Sequence, residues 1–456
     1  MSILDLNNNI MNDEDGLNIV NGINYKVRIA KTKKQNEEID FRESSNDTKG
    51  KYLIYPSSVG LSPTTESLTK EYIGANTSES YLGATTYSGD ITYGAFPNTN
   101  SYYSSLIWAN VITKETKGNI ICINSNTAFS IVFHKNEENK ISFIEIIREI
   151  EDKYTSDFIN IFEGATQKYL IEEINKIINL RAISIIGNEN NELNFDALLE
   201  ECDDELVLSF NRVGFIETSI FSEEEKSKYP KYQNIIAPRF GEAQYYNLAI
   251  SNNNIDGVQY IGCESKSINF NFANKAMTTI SSSLWALDEK ELKKEDTLIE
   301  DRVEERDVVM AQTSKYPTKL YINGVEATSI TDISIAFEWT KEEKYNISAK
   351  RYDIPNSKFT LTFSGNAIFN TQSKEFFYNR VLNGDRQAFV LYSNTIFKNK
   401  EYPFIFVSND VAGSPSTPTI EPKELFISLN NCKAIEKSED KNSNYLLTFT
   451  DREDLF

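Results

Sequence analysis

The chain is short of the residues that do chemistry. Its 456 residues include one histidine, His134, and four cysteines. A lone histidine at the end of an apolar strand reads as structural. Nothing around it, such as GxSxG, supplies the nucleophile or the third group that a Ser–His or Cys–His arrangement needs. One histidine is too few for a histidine-built zinc site, and Cys122, Cys202, Cys263 and Cys432 are scattered with no CxxC pair to substitute. They read as reduced core thiols of a cytoplasmically made protein. GxxxxGK[ST] and GxGxxG are both missing, which removes the two common phosphate-cradling loops. No apolar run nears the roughly 18 residues of a membrane span. The start, MSILDLNNNIMNDEDG, lacks the basic n-region and long apolar core of a signal peptide.

Positive charge is also scarce. Lys and Arg total 47 against 67 Asp and Glu, a formal net charge of −20. Such a surface repels nucleic acid and anionic membranes and favours solubility. The short basic run KTKK (31–34) reads as a solvated loop. The acidic runs NDEDG (12–16) and EECDDE (200–205) lack calcium-loop spacing and read as solvated turns or helix ends. Paired carboxylates for glycoside hydrolysis are permitted by the abundance of acids, but no spacing signals them. No aromatic platform interleaved with Lys and Arg offers a single-strand nucleic-acid site. The reading is therefore no catalysis, no cofactor and no metal.

What is plentiful is strand-forming material. The chain is 40% hydrophobic and 12% aromatic, mostly Tyr and Phe, with many Thr, Ile and Asn. That composition fills cores and favours strands and turns, and the length suits two or three domains. One unit occurs twice: TYSGDITYGAFPNTNSYYSSLIWANVI (86–112) and TFSGNAIFNTQSKEFFYNRVLNGD (362–385). Each runs from a strand through Ser-Gly into a short aromatic helix. In the first, Asn100 or Ser101 is a candidate helix cap, and Tyr103, Ile107 and Val111 share one helix face. In the second, Phe359, Leu361 and Phe363 alternate with polar residues. Asn370 or Thr371 starts a helix, Phe377 and Val381 share its face, and Gly384 stops it. Short helices of this kind need a sheet to pack on.

Return strands follow the second unit directly: QAFVLYSNT, FIFVSND, KELFISLNNCKAI and YLLTFTD. After the first they begin only near residue 242, with AQYYNLAISN, VQYIGCESKSINFNFA and SSSLWALD. The intervening 113–238 reads as an inserted α+β domain. Its expected elements are strands NIICIN and AFSIVFH, then a helix SFIEIIREIEDKY with Phe143, Ile147, Ile150 and Tyr154 on one face and a Ser142/Glu145 capping box. A helix TQKYLIEEINKIINL carrying Leu170, Ile174 and Ile177 comes next, followed by strand AISIIG, short helix NFDALLEE, and strands LVLSFN and VGFIETSIF. Residues 57–80 read as an extended loop. The charged stretch 288–309 reads as a linker, and Asn323-Gly324 as a hairpin turn. The expected division is 1–112 with 239–290, then 113–238, a linker over 291–315, and 316–456. The fold class is mainly β: two β-sandwich or barrel domains, each with a flanking helix, plus the inserted α+β domain.

This pattern resembles the tail tube proteins of long-tailed bacteriophages and, more loosely, the tubes of contractile injection systems. The likeness is carried by INGVEATSITDISIAFEW, the strand into Ser364-Gly365, the helix around 377–382 and the return strands 387–408. It spans about 290 residues in two blocks. The family's β-sandwich has one flanking helix and a long loop that contacts the next ring. The resemblance implies that loop at 340–358 and 57–80, with Thr64, Tyr72, Tyr345, Arg351 and Tyr352 as candidate stacking residues. It further implies a structural subunit of the siphophage type with two fused tube domains, forming trimeric, pseudo-hexameric rings stacked into a virion tail. The implied partners are copies of itself, a tape measure protein, a tail terminator, and genomic DNA passing through the lumen without sequence-specific binding. The inserted domain departs from the family pattern and is expected outside the tube, where it leaves the lumen open. Other readings are a baseplate hub or tail-completion ring, an enzyme acting on glycan through 113–238, and a surface-layer or adhesin module.

Overall fold

Antiparallel pairing of apolar patches builds this molecule, as a sequence rich in Ile, Phe, Tyr and Thr predicts. The computed structural model of the chain describes residues 10–12, 18–20, 25–41, 51–54, 56–70, 79–96, 110–138, 140–151, 153–195, 206–237, 244–252, 257–292, 318–340, 344–345, 351–352, 358–413, 419–420, 425–434 and 444–451. The first block supplies β1 (Ile10–Asn12), β2 (Asn18–Val20), β3 (Tyr25–Thr32), β4 (Lys51–Ile54), β5 (Pro56–Val59), β6 (Ser62–Lys70) and β7 (Glu79–Gly94). Next come β8 (Asn110–Glu115), β9 (Gly118–Ser125), β10 (Phe129–Lys135), β11 (Ile141–Ile150), β12 (Lys153–Asn160), helix α1 (Gln167–Ile174), β13 (Leu180–Ile186), β14 (Leu206–Phe210), β15 (Val213–Ile220), the single turn α2 (Glu223–Lys226) and β16 (Tyr232–Ala237). The return strands are β17 (Tyr245–Asn252), β18 (Gly257–Ala273), β19 (Thr279–Ala286) and β20 (Asp288–Leu292). The last block holds β21 (Thr318–Ile322), β22 (Val325–Glu326), β23 (Ile330–Thr340), β24 (Lys344–Tyr345), β25 (Arg351–Tyr352), β26 (Lys358–Ile368), helix α3 over 371–382, β27 (Gln387–Phe397), β28 (Lys400–Ala412), β29 (Thr419–Ile420), β30 (Leu425–Ala434) and β31 (Asn444–Thr450). The fold is mainly β.

The strand pairings of the first and last blocks repeat. β3 pairs β17 as β21 pairs β27, and β17 pairs β18 as β27 pairs β28. β18 pairs β20 as β28 pairs β31, and β19 pairs β7 as β30 pairs β26. The long strand β18 does the work of two: its second half pairs β19 as β29 pairs β30. The hairpin β6–β7 corresponds to β23–β26, and the Ser-Gly pairs fall in register, with Ser62 opposite Ser88 and Ser334 opposite Ser364. Each glycine faces a neighbouring backbone that leaves no room for a side chain. A Cβ on Gly89 would lie 2.2 Å from the Gly60 carbonyl oxygen, and one on Gly365 would lie 2.3 Å from that of Asp332. The same irregularity in the neighbouring strand thus explains why the same dipeptide occurs twice.

The two blocks are joined by β18, whose second half pairs β23, and by one contiguous core. At its centre Phe270 of β18 meets Phe337 at 5.8 Å, Phe404 at 5.5 Å and Phe406 at 5.0 Å between ring centroids. Across the core lies a second sheet, β21–β27–β28–β31–β16–β8. Its central strands are buried on both faces. Phe404 and Phe406 enter the main core, while Ile405 and Val407 point the other way into a second cluster with Ile120, Cys122 and Ile185. Strand β9 repeats the device: Ile120 and Cys122 face the sandwich, and Ile121 and Ile123 face a third cluster beneath β10 and β11. Three apolar layers therefore stack these four sheets, and a further sheet, β4–β3–β17–β18–β20, joins the main core through Val27, Ile29, Ile54, Tyr246 and Leu248. The turn between β14 and β15 adds a polar clamp. The Arg212 guanidinium donates to the Arg386 carbonyl at 2.9 Å and lies 3.6 Å from the buried Asp410 carboxylate.

Helix α3 starts where the sequence places it. Asn370 accepts from the Ser373 amide and donates its own amide to the Ser373 hydroxyl, both at 2.8 Å. Phe377 and Val381 are buried as expected, and so is Phe376. The helix has a π turn at Glu375–Asn379, and this wider turn points two adjacent aromatics inward. The equivalent helix of the first unit, with Tyr103 and Ile107, lies outside the described residues. Val111 does not belong to it: it sits in β8, opposite Ile236.

Other expectations are corrected. SFIEIIREIEDKY is not a helix but chiefly strand β11, paired with both β10 and β12. Its isoleucines favour a strand, Ile144 and Ile146 alternate into the core, and the Ser142 hydroxyl donates to the His134 carbonyl instead of capping. Residues 57–80 are largely strands β5, β6 and the start of β7, and 288–292 is strand β20 against β18. The inserted segment is two sheets with helix α1, and its outermost strands β8 and β16 extend the second sheet through β31. The expected helix NFDALLEE lies mostly outside the described residues, as does most of the 291–315 linker.

Replacing Phe406 by Ala is expected to cost about 3–5 kcal/mol by denaturant titration, because its ring links both sheets. Gly365→Ala is expected to cost about 1–3 kcal/mol through the backbone separation it forces.

Candidate functional site: an assembly surface

The main core buries one face of a long strip of eight strands in the order β6–β7–β19–β18–β23–β26–β30–β29. Strand alternation puts most apolar residues inward and leaves the other face chiefly to small polar groups, with Ile368 of β26 exposed among them. Ile268, Phe270 and Phe272 of β18 are buried, while Ser267, Asn269 and Asn271 between them point out. β23 presents Ser334, Ala336 and Glu338; β26 presents Thr360, Thr362 and Ser364; and β7 presents Ser88, Asp90 and Thr92.

These outward residues bond to one another across the strands. The Ser334 hydroxyl donates to the Asn271 side chain at 2.8 Å, that of Ser428 donates to Asn366 at 3.1 Å, and that of Ser283 donates to Asp90. Among the described residues the face carries the carboxylates Asp90, Asp332 and Glu338 against Lys266 and Lys433. The Lys266 ammonium lies 5.1 Å from the centre of the Trp285 ring. A surface of hydroxyls and amides in which carboxylates outnumber the described cations gives phosphate little to neutralise.

The two ends of the strip are open edges. Among the described residues β6 pairs only with β7, and β29 only with β30. The junction already made inside the chain shows what these edges fit. There Asn269 of β18 stands opposite Ala336 of β23. Carried through the repeat, Asn269 corresponds to Thr419 of β29, and Ala336 corresponds to Thr64 of β6.

Of the expected stacking residues, Thr64 is on this open edge and exposed. Tyr345 and Arg351 stand opposite each other in the short β24–β25 ladder, beside Lys344 and Tyr352. The β24–β25 ladder is a two-stranded sheet of its own among the described residues. Tyr72 lies outside the described residues.

The single histidine and the cysteines are placed as follows. His134 donates or accepts at 3.0 Å with Glu145 and stacks on Phe143. Hydrogen bonds from Ser156 and then from His134 hold the Glu145 carboxyl below its usual range. The carboxylate is the middle member of that chain, so it leaves the serine without a histidine base. Cys122, Cys263 and Cys432 are buried, and burial pushes the Cys432 thiol up to about 12. Cys202 lies outside the described residues, as do most of the two acidic runs. Among the described residues no cluster of three or more His, Cys, Asp or Glu side chains is placed to hold a metal, and no helix is long and apolar enough to cross a membrane.

No family model matches the chain, and no curated protein does. Comparison with solved structures returns "Structure of the P pilus usher (PapC) translocation pore", which covers 86% of this chain and 81% of that one at 9% identity. Its TM-score is 0.08.

Placing lysines on the polar face, as Ser267→Lys with Asn269→Lys and Ser283→Lys, is expected to create duplex-DNA binding in a gel-shift assay. The unsubstituted chain is expected to give none at about 0.15 M salt. The salt slope should grow by about one for each phosphate contacted.

Proposed function

We propose that the chain is a structural subunit of a bacteriophage tail tube, polymerising as stacked rings that conduct DNA. The observation that carries this reading is the strip of two repeated four-strand units with complementary open edges. Joining β29 of one copy to β6 of the next reuses the junction between the two halves of each chain. Heterologous contacts of this kind close into rings. Three copies close a barrel of roughly 24 strands, about 37 Å across at about 4.8 Å per strand before any tilt. The bore is then lined by the neutral, hydroxyl-rich face, over which DNA moves without releasing counterions. The inserted segment stacks behind the second sheet, on the side away from that face, and stays outside the bore. Pro63 on the β6 edge cannot donate a hydrogen bond, which discourages indiscriminate strand addition.

The alternative within the same class is a baseplate hub or tail-completion ring. It predicts one or a few rings per particle, where a tube predicts many.

Thr64→Cys with Thr419→Cys tests the assembly. The two positions lie about 34 Å apart within one chain by strand spacing, so a disulfide must join two copies. Oxidised double variant is expected to give a non-reducing gel ladder that ends at three chains, with single variants giving none. Negative-stain images should show tubes one ring wide. A chain that stays monomeric in both assays overturns the reading, and a ladder running past three chains overturns the trimer.

A further inference from the structure

A cavity lies on the side of the second sheet away from the main core, where the inserted segment meets that sheet. Its volume is about 250 Å³, and it is lined from above by α1 and β13 and from below by β21 and β27. The seam has polar groups that the packing leaves unused. Tyr321 is only 3% exposed, yet its hydroxyl has no hydrogen-bond partner among the described residues. Burial pushes the pKa of both Tyr321 and Tyr392 up, so each phenol keeps its proton and Tyr321 is available as a donor. The Arg181 guanidinium also lines the cavity. Its Nε is buried without a hydrogen bond, and it makes no ion pair among the described residues. Lys319, at the mouth, is engaged by Glu326 at 3.7 Å. Glu189 is the carboxylate that lines the same cavity, and it forms no ion pair with Arg181 among the described residues.

We propose that this cavity binds a small hydroxylated monocarboxylate, of the size and chemistry of a sugar acid. Arg181 and the Tyr321 hydroxyl supply the planar cation and the neutral donor that a carboxylate accepts from. Glu189 lines the same space. It opposes a second negative charge and accepts from hydroxyls, which selects a hydroxylated monoanion over a phosphate dianion. The Ser184 hydroxyl, which accepts from the Gln167 amide at 3.3 Å, keeps its own proton to donate, and Ile183 offers an apolar wall to the C–H face of a ring. The site spans two parts of the chain, so occupying it also ties the inserted segment to the sandwich.

The test uses the full-length chain and D-glucuronate, with D-glucose, propionate and inorganic phosphate as comparators at matched ionic strength in isothermal titration calorimetry. Saturable one-to-one binding of glucuronate is expected, at least tenfold tighter than any comparator. Arg181→Gln and Tyr321→Phe are each expected to weaken it tenfold or more, while Lys290→Gln, on the remote strand β20, leaves it unchanged. Tyr321→Phe keeps the ring and the packing, so it decides the matter if Arg181→Gln folds poorly. No saturable glucuronate binding overturns the proposal, as does binding unaffected by Tyr321→Phe. Equal binding of phosphate or propionate overturns the selectivity for a hydroxylated monocarboxylate.

Discussion

The structure depends on burying one face of a strip too long to be stable alone. Eight strands expose a continuous apolar face unless another layer covers it, and Phe270, Phe337, Phe404 and Phe406 interlock that strip with the second sheet. Aromatic rings at these separations add edge-to-face attraction to the large area they withdraw from water. Once this layer is formed, the register of β18 against β23 is set, because a slip of one residue would turn Phe270 and Phe272 outward. The junction between the two halves is therefore a consequence of the core.

The same logic propagates outward. The second sheet has apolar residues on both faces and so requires a further cover, which the inserted segment supplies through Ile120, Cys122 and Ile185. Strand β9 then needs covering on its own far side, and α1 with β10 and β11 does this. Each layer solves a burial problem and creates the next, until the outermost strands end on solvent-facing residues such as Tyr154 and Phe158. The polar face of the strip is the opposite limit. It needs no cover because its hydroxyls and amides satisfy one another and water.

Much of this was legible before any coordinates. The Ser-Gly units, the alternation of Leu361 and Phe363 with their polar neighbours, and the cap at Asn370 each rest on a local rule. So does the hairpin at Asn323-Gly324, where both residues take positive φ. Reading β11 as a helix failed because Phe143, Ile147 and Ile150 fit a 3.6-residue period by accident. Pairing with two neighbouring strands outweighs periodicity, and five isoleucines in ten residues were the signal that argued for a strand. Reading 57–80 as a loop failed for a related reason. Ser, Pro and Thr look like loop residues, but on an edge strand facing solvent nothing asks them to be apolar.

The sequence by itself determined that the chain is mainly β, that one unit occurs twice, that a segment interrupts the first copy, and that common catalytic and phosphate-binding motifs are missing. These follow from composition, short-range pattern and count, which need no partner in space. Tertiary structure alone decided that the two copies share a core, that their strands form one strip with matching open edges, and that the inserted segment covers the second sheet. It also brought Arg181 and Tyr321 to one cavity from positions 140 residues apart in the chain. Register and layer order depend on which buried faces meet, and that is settled by packing between residues far apart in sequence.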